Sequence, residues 1–433
     1  MTHPRSGVAP PPVDRNGPLR GPRGNASGPA KPDPRRLLGT AREEHRFYLL
    51  LLLGGLLTLA GLGAAHLMEE QGHVITGMNN HVVWGLPHVF AIFMIVAGSG
   101  VLNVASIGSV FGVGIYKQRA PLSALLSLAL LAGGLMVLML DLGRPERLIV
   151  AATHYNFSSV FAWNVFLYSG MFAIVAIYLW TMFERRFNGY TQAVGIAALV
   201  WRFALTTGTG SIFGFLVARQ AYQSALLAPL FIVMSFGWGL AVFLLVQSAL
   251  LAWHGKVLDA AVRQRLMRLL GVFAATALYL VVVFHMTNLY FARQDGFEAF
   301  ILLGRGGGGV FAALFWAGYV LLGSVLPLLL VFHPRLAGER SNLAASLLVL
   351  LGAFAWLYVF IIGGQAFPLD IFPGFEMRSS FGDGAVTGYV PRWPELLLGL
   401  GGIGVAFLVT TVGVRLFDFL PRDERTPDGG AGG

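Results

Sequence analysis

PLSALLSLALLAGGLMVLMLDLGRPERL, Pro121 to Leu148, sets the architecture. Its first part, Pro121 to Leu140, carries no charged side chain. A helix of that length rises about 30 Å, the thickness of a bilayer's hydrocarbon core. An acid, a glycine and an Arg-Pro pair follow at once, and glycine and proline in those places stop a helix. The run is far longer than the roughly 10 residues of a membrane-barrel strand and shows no alternation. It reads as a membrane-crossing helix with Asp141 at its lip.

On either side of it, nine further segments reach spanning length, giving expected helices near 47–67, 82–112, 121–141, 158–183, 192–218, 225–252, 269–291, 309–332, 344–365 and 395–420. Composition agrees: 56% of the 433 residues are apolar, 12% are charged, and the mean hydropathy is strongly positive. The expected fold is an all-α integral membrane protein of about ten transmembrane helices, as two four-helix bundles plus flanking helices. Trp84-Gly85-Leu86 and Trp238-Gly239-Leu240 hint at an internal duplication by opening comparable helices.

Residues 1–36 are rich in Pro, Gly and Arg and read as a disordered cytoplasmic tail, 37–420 as the polytopic domain and 421–433 as a short second tail. Arg35-Arg36 before an apolar run hints at an export signal, but the following run is long enough to span, so it reads as an ordinary first helix. The formal charge of +9 does not point to nucleic acid, because basic residues flank hydrophobic runs or lie in the first 46 residues. With the N-terminus inside, inner segments hold 22 Lys and Arg and outer segments 7, so both termini are expected in the cytoplasm. Without the two tails the count is 10 against 7, a weaker bias of the same sign. The connection from Phe367 to Glu395 is the longest outer loop and is expected to support a partner on that face.

The chain has no cysteine, hence no thiolate-held iron–sulfur cluster, disulfide or thioether-linked haem. Gly304 to Gly309 lacks the strand and Lys-Ser/Thr of a phosphate cradle and reads as an outer turn. No metal-ligand or nucleophile motif stands out.

Polar side chains at membrane depth carry the functional signal. His88 is expected about six residues, or about 9 Å, below the outer end of the second helix. Asp141 closes the third, and the loop to the fourth supplies Arg144, Arg147, His154, Tyr155 and Asn156. Short connections make these helices neighbours, so the polar groups converge at one outer rim above an apolar cleft. Such a rim suits a dioxygenated ring with a lipid tail. Quinol oxidation releases two electrons and two protons, which asks for a hydrogen-bonding group at each oxygen and a proton acceptor. His88 and Asp141 fill those roles, with Arg144 holding Asp141 ionised. Each also has a structural reading: His88 bonded to a carbonyl, Asp141 in a helix-ending turn, Tyr155 and Asn156 at the interface. Deeper, Arg202 and Thr206 mark a candidate proton path, while the glycines around them read as close packing. His285 and Asn288 form a second polar patch or a structural contact.

Trp84-Gly85-Leu86-Pro87-His88, Asp141-Leu142-Gly143-Arg144-Pro145, Asn156-Phe157-Ser158-Ser159 and Trp163-Asn164 together resemble the NrfD/polysulfide reductase membrane-subunit family, over residues 47–420. Within it, MNNHVVWGLPHVFAIFMIVAGSGVLNVASI is similar to the branch linked to dissimilatory sulfite reductase complexes, and GYVPRWPELLLG to the ten-helix branch that includes hydrogenase membrane subunits. The resemblance implies a subunit of the bacterial inner membrane free of haem and clusters. It would handle menaquinone or ubiquinone, contact lipid, and exchange electrons with a periplasmic ferredoxin-like iron–sulfur subunit, with cytochrome or other membrane subunits alongside. It places His88, Asp141 and Arg144 at the quinone pocket by motif, and Tyr155 and Asn156 by neighbourhood. Two other classes stay open: a secondary transporter or proton-conducting subunit, and a cytochrome using His88 and His285 as haem ligands.

Overall fold

The computed structural model describes residues 41–291, 294–336, 338–369, 375, 384–417 and 419. Both expected tails and residues 370–374 and 376–383 of the Phe367–Glu395 loop lie outside the described residues. The chain divides into two compact units, Met1–Arg46 and Phe47–Gly433. In the first, only residues 41–46 are described, and they are helical. The regular elements of the second unit are all helical, with no strand among the described residues.

Among the described residues, ten helices are long and apolar enough to cross a membrane: α1 (His45–Gln71), α2 (Leu86–Ser109), α3 (Ala120–Leu140), α4 (Val160–Phe183), α5 (Asn188–Gly214), α6 (Leu227–Trp253), α7 (Ala260–Tyr290), α8 (Gly309–Phe332), α9 (Glu339–Ala366) and α10 (Trp393–Leu416). Helices α2 to α5 pack as one four-helix bundle and α6 to α9 as a second, joined where α2 meets α6; α10 lies against α2 and α3. Gly61 of α1 faces Gly401 of α10, which completes the flanking pair. The inter-bundle crossing depends on two glycines. A Cβ on Gly100 would fall 1.6 Å from the Ser235 carbonyl oxygen, and one on Gly239 would fall 2.1 Å from the Val101 nitrogen. Backbones therefore touch there, as small residues allow in membrane bundles.

Trp84 to Leu86 does open α2, but Trp238 to Leu240 lies in the middle of α6, so the two triplets are not equivalent and the hint of duplication they carried is withdrawn. The start of α2 also differs from expectation. Helix begins at Leu86, not Val82, with Pro87 in its first turn. Residues 77–85 are held outside the helix by distant partners. Gln365 at the end of α9 accepts the Val83 and Trp84 N–H groups at 3.1 and 3.0 Å and donates to the Trp84 carbonyl at 2.9 Å. Glu395 in the first turn of α10 accepts the N–H groups of Gly77 and Arg392, both at 2.8 Å. Arg219, in the α5–α6 connection, reaches the carbonyls of Gln365 and His81 at 2.8 and 2.9 Å. His88 thus sits in the first turn of its helix, nearer the rim than the 9 Å depth read from hydropathy.

Candidate functional site: a polar-rimmed cleft in the first bundle

Helix α3 ends because Gly143 turns the chain through φ +68°, a left-handed conformation that costs glycine little, and Pro145 then opens a short 3-10 turn. The Asp141 carboxylate is thereby left at the end of α3, buried against α2. Its Oδ2 lies 3.1 Å from Nδ1 of His88, and its Oδ1 is buried without a hydrogen-bond partner. The Asp141 side chain is 3% exposed and that of His88 15%, so the pair is largely withdrawn from solvent. An imidazole sharing Nδ1 with a carboxylate presents Nε2 as its free ring nitrogen. Trp84 stacks on the His88 ring at 5.5 Å between centroids and 15° between planes, and is itself packed against Phe161 and Phe213. The Gln365 hydrogen bonds to the Trp84 backbone hold this indole in place.

His88 and Trp84 form one wall of a cleft of about 560 Å³. Most of the remaining lining is apolar, including Ile92, Leu135, Leu138 and Val165. Met139, Leu142 and Phe161 line it too and are 41%, 50% and 47% exposed, so one side of the cleft reaches the apolar surface of the helices. Polar lining comes from His88, His154, Asn156, Ser159, Asn164, Tyr168 and Ser169. Asn164 donates through Nδ2 to the Val160 carbonyl at 2.9 Å and keeps a buried Oδ1 with no partner. Two orphaned buried oxygens, on Asp141 and Asn164, therefore lie at or beside the cleft, where an unmade hydrogen bond is costly.

The structure brings together His88, Asp141 and Asn156, and separates the other two expected ligands from them. Arg144 is exposed and forms no ion pair with Asp141, whose partner is His88. The turn at Gly143 carries the chain away before Arg144, which corrects the expectation that Arg144 holds the carboxylate. Tyr155 does not line the cleft; it packs edge-on between Phe157 and Phe166 at 4.7 and 4.5 Å. Asn156 lines the cleft, although its Oδ1 also accepts the Ser158 N–H at 2.9 Å in the turn before α4. Asn164 and Tyr168 line the cleft as well, and did not stand out in the sequence because they sit inside an apolar run. The available signal was Trp163-Asn164 in the motif set and the i, i+4 spacing of the two on one helix face.

Arg202 is buried at 4% exposure and pairs with no acid among the described residues. Its NH1 donates to Oδ1 of Asn103 at 2.6 Å, and its guanidinium lies 5.3 and 5.4 Å from the ring centres of Phe203 and Phe236. Asn103 is the first helical residue after a break in α2 at Leu102. Thr206 bonds back to the Arg202 carbonyl at 2.8 Å and to Ser99 at 2.8 Å. A Cβ on Gly210 would lie 2.8 Å from the Ala228 backbone, in keeping with the packing reading of these glycines. In the second bundle His285 pairs with Glu298 at 2.6 Å, and Asn288 donates to the same carboxylate at 2.7 Å. That cluster fastens the short helix Asp295–Leu303 to α7. His88 and His285 thus lie in separate bundles, each with its own carboxylate.

The sequence profile of the polysulphide reductase NrfD family matches residues 74–369. The protein is 28% identical over 381 residues to the Hdr-like menaquinol oxidoreductase integral membrane subunit of Archaeoglobus fulgidus, a match spanning 87% of this sequence and 94% of that one. It is 28% identical over 407 residues to a protein of Halobacterium salinarum described as a dimethyl sulfoxide reductase membrane subunit, with 86% and 91% covered. The menaquinone reductase integral membrane subunit of Nitratidesulfovibrio vulgaris is 23% identical, with 84% and 89% covered. A profile match over more than half the sequence, on a ten-helix framework carrying the Asp-Leu-Gly-Arg-Pro turn, establishes that this protein is a member of the NrfD/polysulfide reductase family of multi-pass membrane proteins.

Proposed function

We propose that the chain is the quinone-handling membrane subunit of a multi-subunit oxidoreductase and that the cleft of the first bundle binds the quinone ring. The observation that carries this reading is a largely buried His88–Asp141 pair whose imidazole lines a mainly apolar cleft with exposed apolar residues on one side. The ring would enter between α3 and α4 with its isoprenoid tail in the hydrocarbon layer. His88 Nε2 would meet one ring oxygen, and the Asn164 amide, with Asn156 at the rim, would serve the other end. On oxidation of a quinol, His88 accepts a hydroxyl proton at Nε2 while Nδ1–H donates to Asp141, so the carboxylate stabilises the imidazolium that forms. The second proton leaves through the same rim, and two electrons pass to a partner, since this chain has no thiolate for a cluster. Relatives named for menaquinol and menaquinone support a menaquinone-type substrate over ubiquinone.

A ferredoxin-like iron–sulfur subunit docked on the His88 face would take or supply those electrons, with cytochrome or further membrane subunits beside it. Under this assignment the complex sits in a bacterial inner membrane with both termini cytoplasmic, and the resemblance to the sulfite reductase-linked branch favours sulfur metabolism. A proton-conducting role has one specific observation behind it: Arg202, Thr206, Ser99 and Asn103 form a buried polar cluster deep in the same bundle. Under this reading they relay protons between the cleft and the opposite face.

The test is binding of a fluorescent hydroxyquinoline-type quinone analogue to the purified complex. His88→Leu and Asn164→Leu should each weaken it by about tenfold, the loss of one hydrogen bond to a buried group. Unchanged affinity in both, with the complex intact, would move the ring out of this cleft.

A further inference from the structure

We propose that the crevice between α7, α8 and α9, on the face opposite the cleft, binds the headgroup of an anionic glycerophospholipid. The crevice encloses about 410 Å³. Arg263, Gln264 and Arg268 enter it from the first turns of α7, His333 from the end of α8 and Asn342 from the start of α9. The α7 positions recur at i, i+1 and i+5, together with Ala260 and Met267, so the crevice occupies one stripe of that helix.

Its charge is uncompensated. No carboxylate lines it, and neither Arg263 nor Arg268 makes an ion pair among the described residues. Two nearby acids lie outside the lining. Asp259 caps α7, accepting the Ala261 and Val262 N–H groups at 2.9 and 3.2 Å, and Glu339 is exposed at the start of α9 outside the lining. Two guanidinium groups facing one hollow suit a phosphodiester, which accepts forked hydrogen bonds from arginine, and the Gln264 and Asn342 amides suit glycerol hydroxyls.

Position distinguishes a lipid from a soluble anion. The crevice lies at the ends of three spanning helices, where the water boundary falls. Met267 lines it from the buried side, and along its edge Phe332, with Val272 and Leu329 one turn away, presents apolar surface at 52%, 51% and 50% exposure. Val272 is one turn past Arg268, about 6 Å further into the hydrocarbon at helical rise. A phosphate held by the arginines would therefore have its acyl chains on this apolar strip. Basic pockets between helices at a membrane face bind acidic lipid headgroups by this combination of charge and depth.

The experiment uses the full-length protein, purified in neutral detergent, stripped of lipid and titrated with phosphatidylglycerol or phosphatidylcholine under native mass spectrometry. Phosphatidylglycerol should bind at least about tenfold more tightly. Arg263→Gln with Arg268→Gln should weaken it about thirty-fold, the equivalent of two charges at about 1 kcal/mol each. Arg335→Gln with Arg340→Gln removes equal charge on the same face outside the crevice and should change affinity less than about threefold. Equal losses in the two variants would reduce the effect to diffuse surface charge and overturn the site. Displacement of the lipid by millimolar inorganic phosphate would reassign the crevice to a soluble anion. Should the crevice variant fail to fold, a diazirine-bearing phosphatidylglycerol on the unaltered protein must label Met267 or Phe332; labelling elsewhere overturns the proposal.

Discussion

Asp141 keeps one carboxylate oxygen on His88 and the other buried and unpartnered, an arrangement with room for a proton to arrive or leave. Replacing it by Asn preserves shape but removes the charge that stabilises an imidazolium. Asp141→Asn should lower quinone-linked turnover by about a hundredfold or more, the usual scale of a lost acid–base partner, with assembly of the complex unchanged. Steady-state turnover of the purified complex checks this. Arg144→Gln should leave analogue affinity within about twofold, because the arginine is exposed and unpaired with Asp141. Comparing the two separates the acid from its neighbour in the motif. The candidacy of Asp141 and His88 was legible from residue type and from their place at two adjacent helix ends. Their direct contact was not, since three residues of spacing make Arg144 the natural partner until the left-handed turn at Gly143 is known.

At the scale of elements, the start of α2 is set by side chains some 300 positions away. Tyr389 donates its hydroxyl to Glu395 at 2.6 Å and accepts the Leu86 N–H at 2.7 Å. Burial and the adjoining Glu395 carboxylate push this phenol well above its usual range. Tyr389→Phe leaves both partners unmatched and should cost about 2 to 4 kcal/mol of stability, read as a lower thermal midpoint. Because the folded-state pKa is raised, the contribution is fully present below about pH 10 and is lost only as pH climbs above that value. The gap between wild type and variant should therefore be the same at pH 6 and pH 9. The bundle crossing offers a second test. Gly100→Ala drives a methyl group into the Ser235 carbonyl and should destabilise by more than the roughly 1 to 3 kcal/mol of ordinary overpacking. Gly63→Ala, on an open helix face with nothing within 4 Å, should be neutral or mildly stabilising by helix propensity. Thermal midpoints of the two purified variants check the contrast.

Across the two bundles, the first carries the cleft and the second supplies Gln365, whose amide holds Trp84 against His88. Purified under mild conditions from its own membrane, the protein should bring cluster-bearing subunits with it and show no activity alone; turnover by the isolated subunit would favour the transport reading. Ten helices, their order and the rim position of His88 and Asp141 follow from the amino-acid order alone, because hydrocarbon thickness imposes a minimum apolar length and the bilayer makes every interior charge conspicuous. Which polar groups touch was settled by packing in three dimensions: His88 with Asp141, Arg202 with Asn103 and two aromatic faces, Gln365 with Trp84. Hydrogen bonds depend on ångström-scale placement of side chains from separate helices, and that placement follows from backbone turns and glycine crossings that hydropathy does not encode.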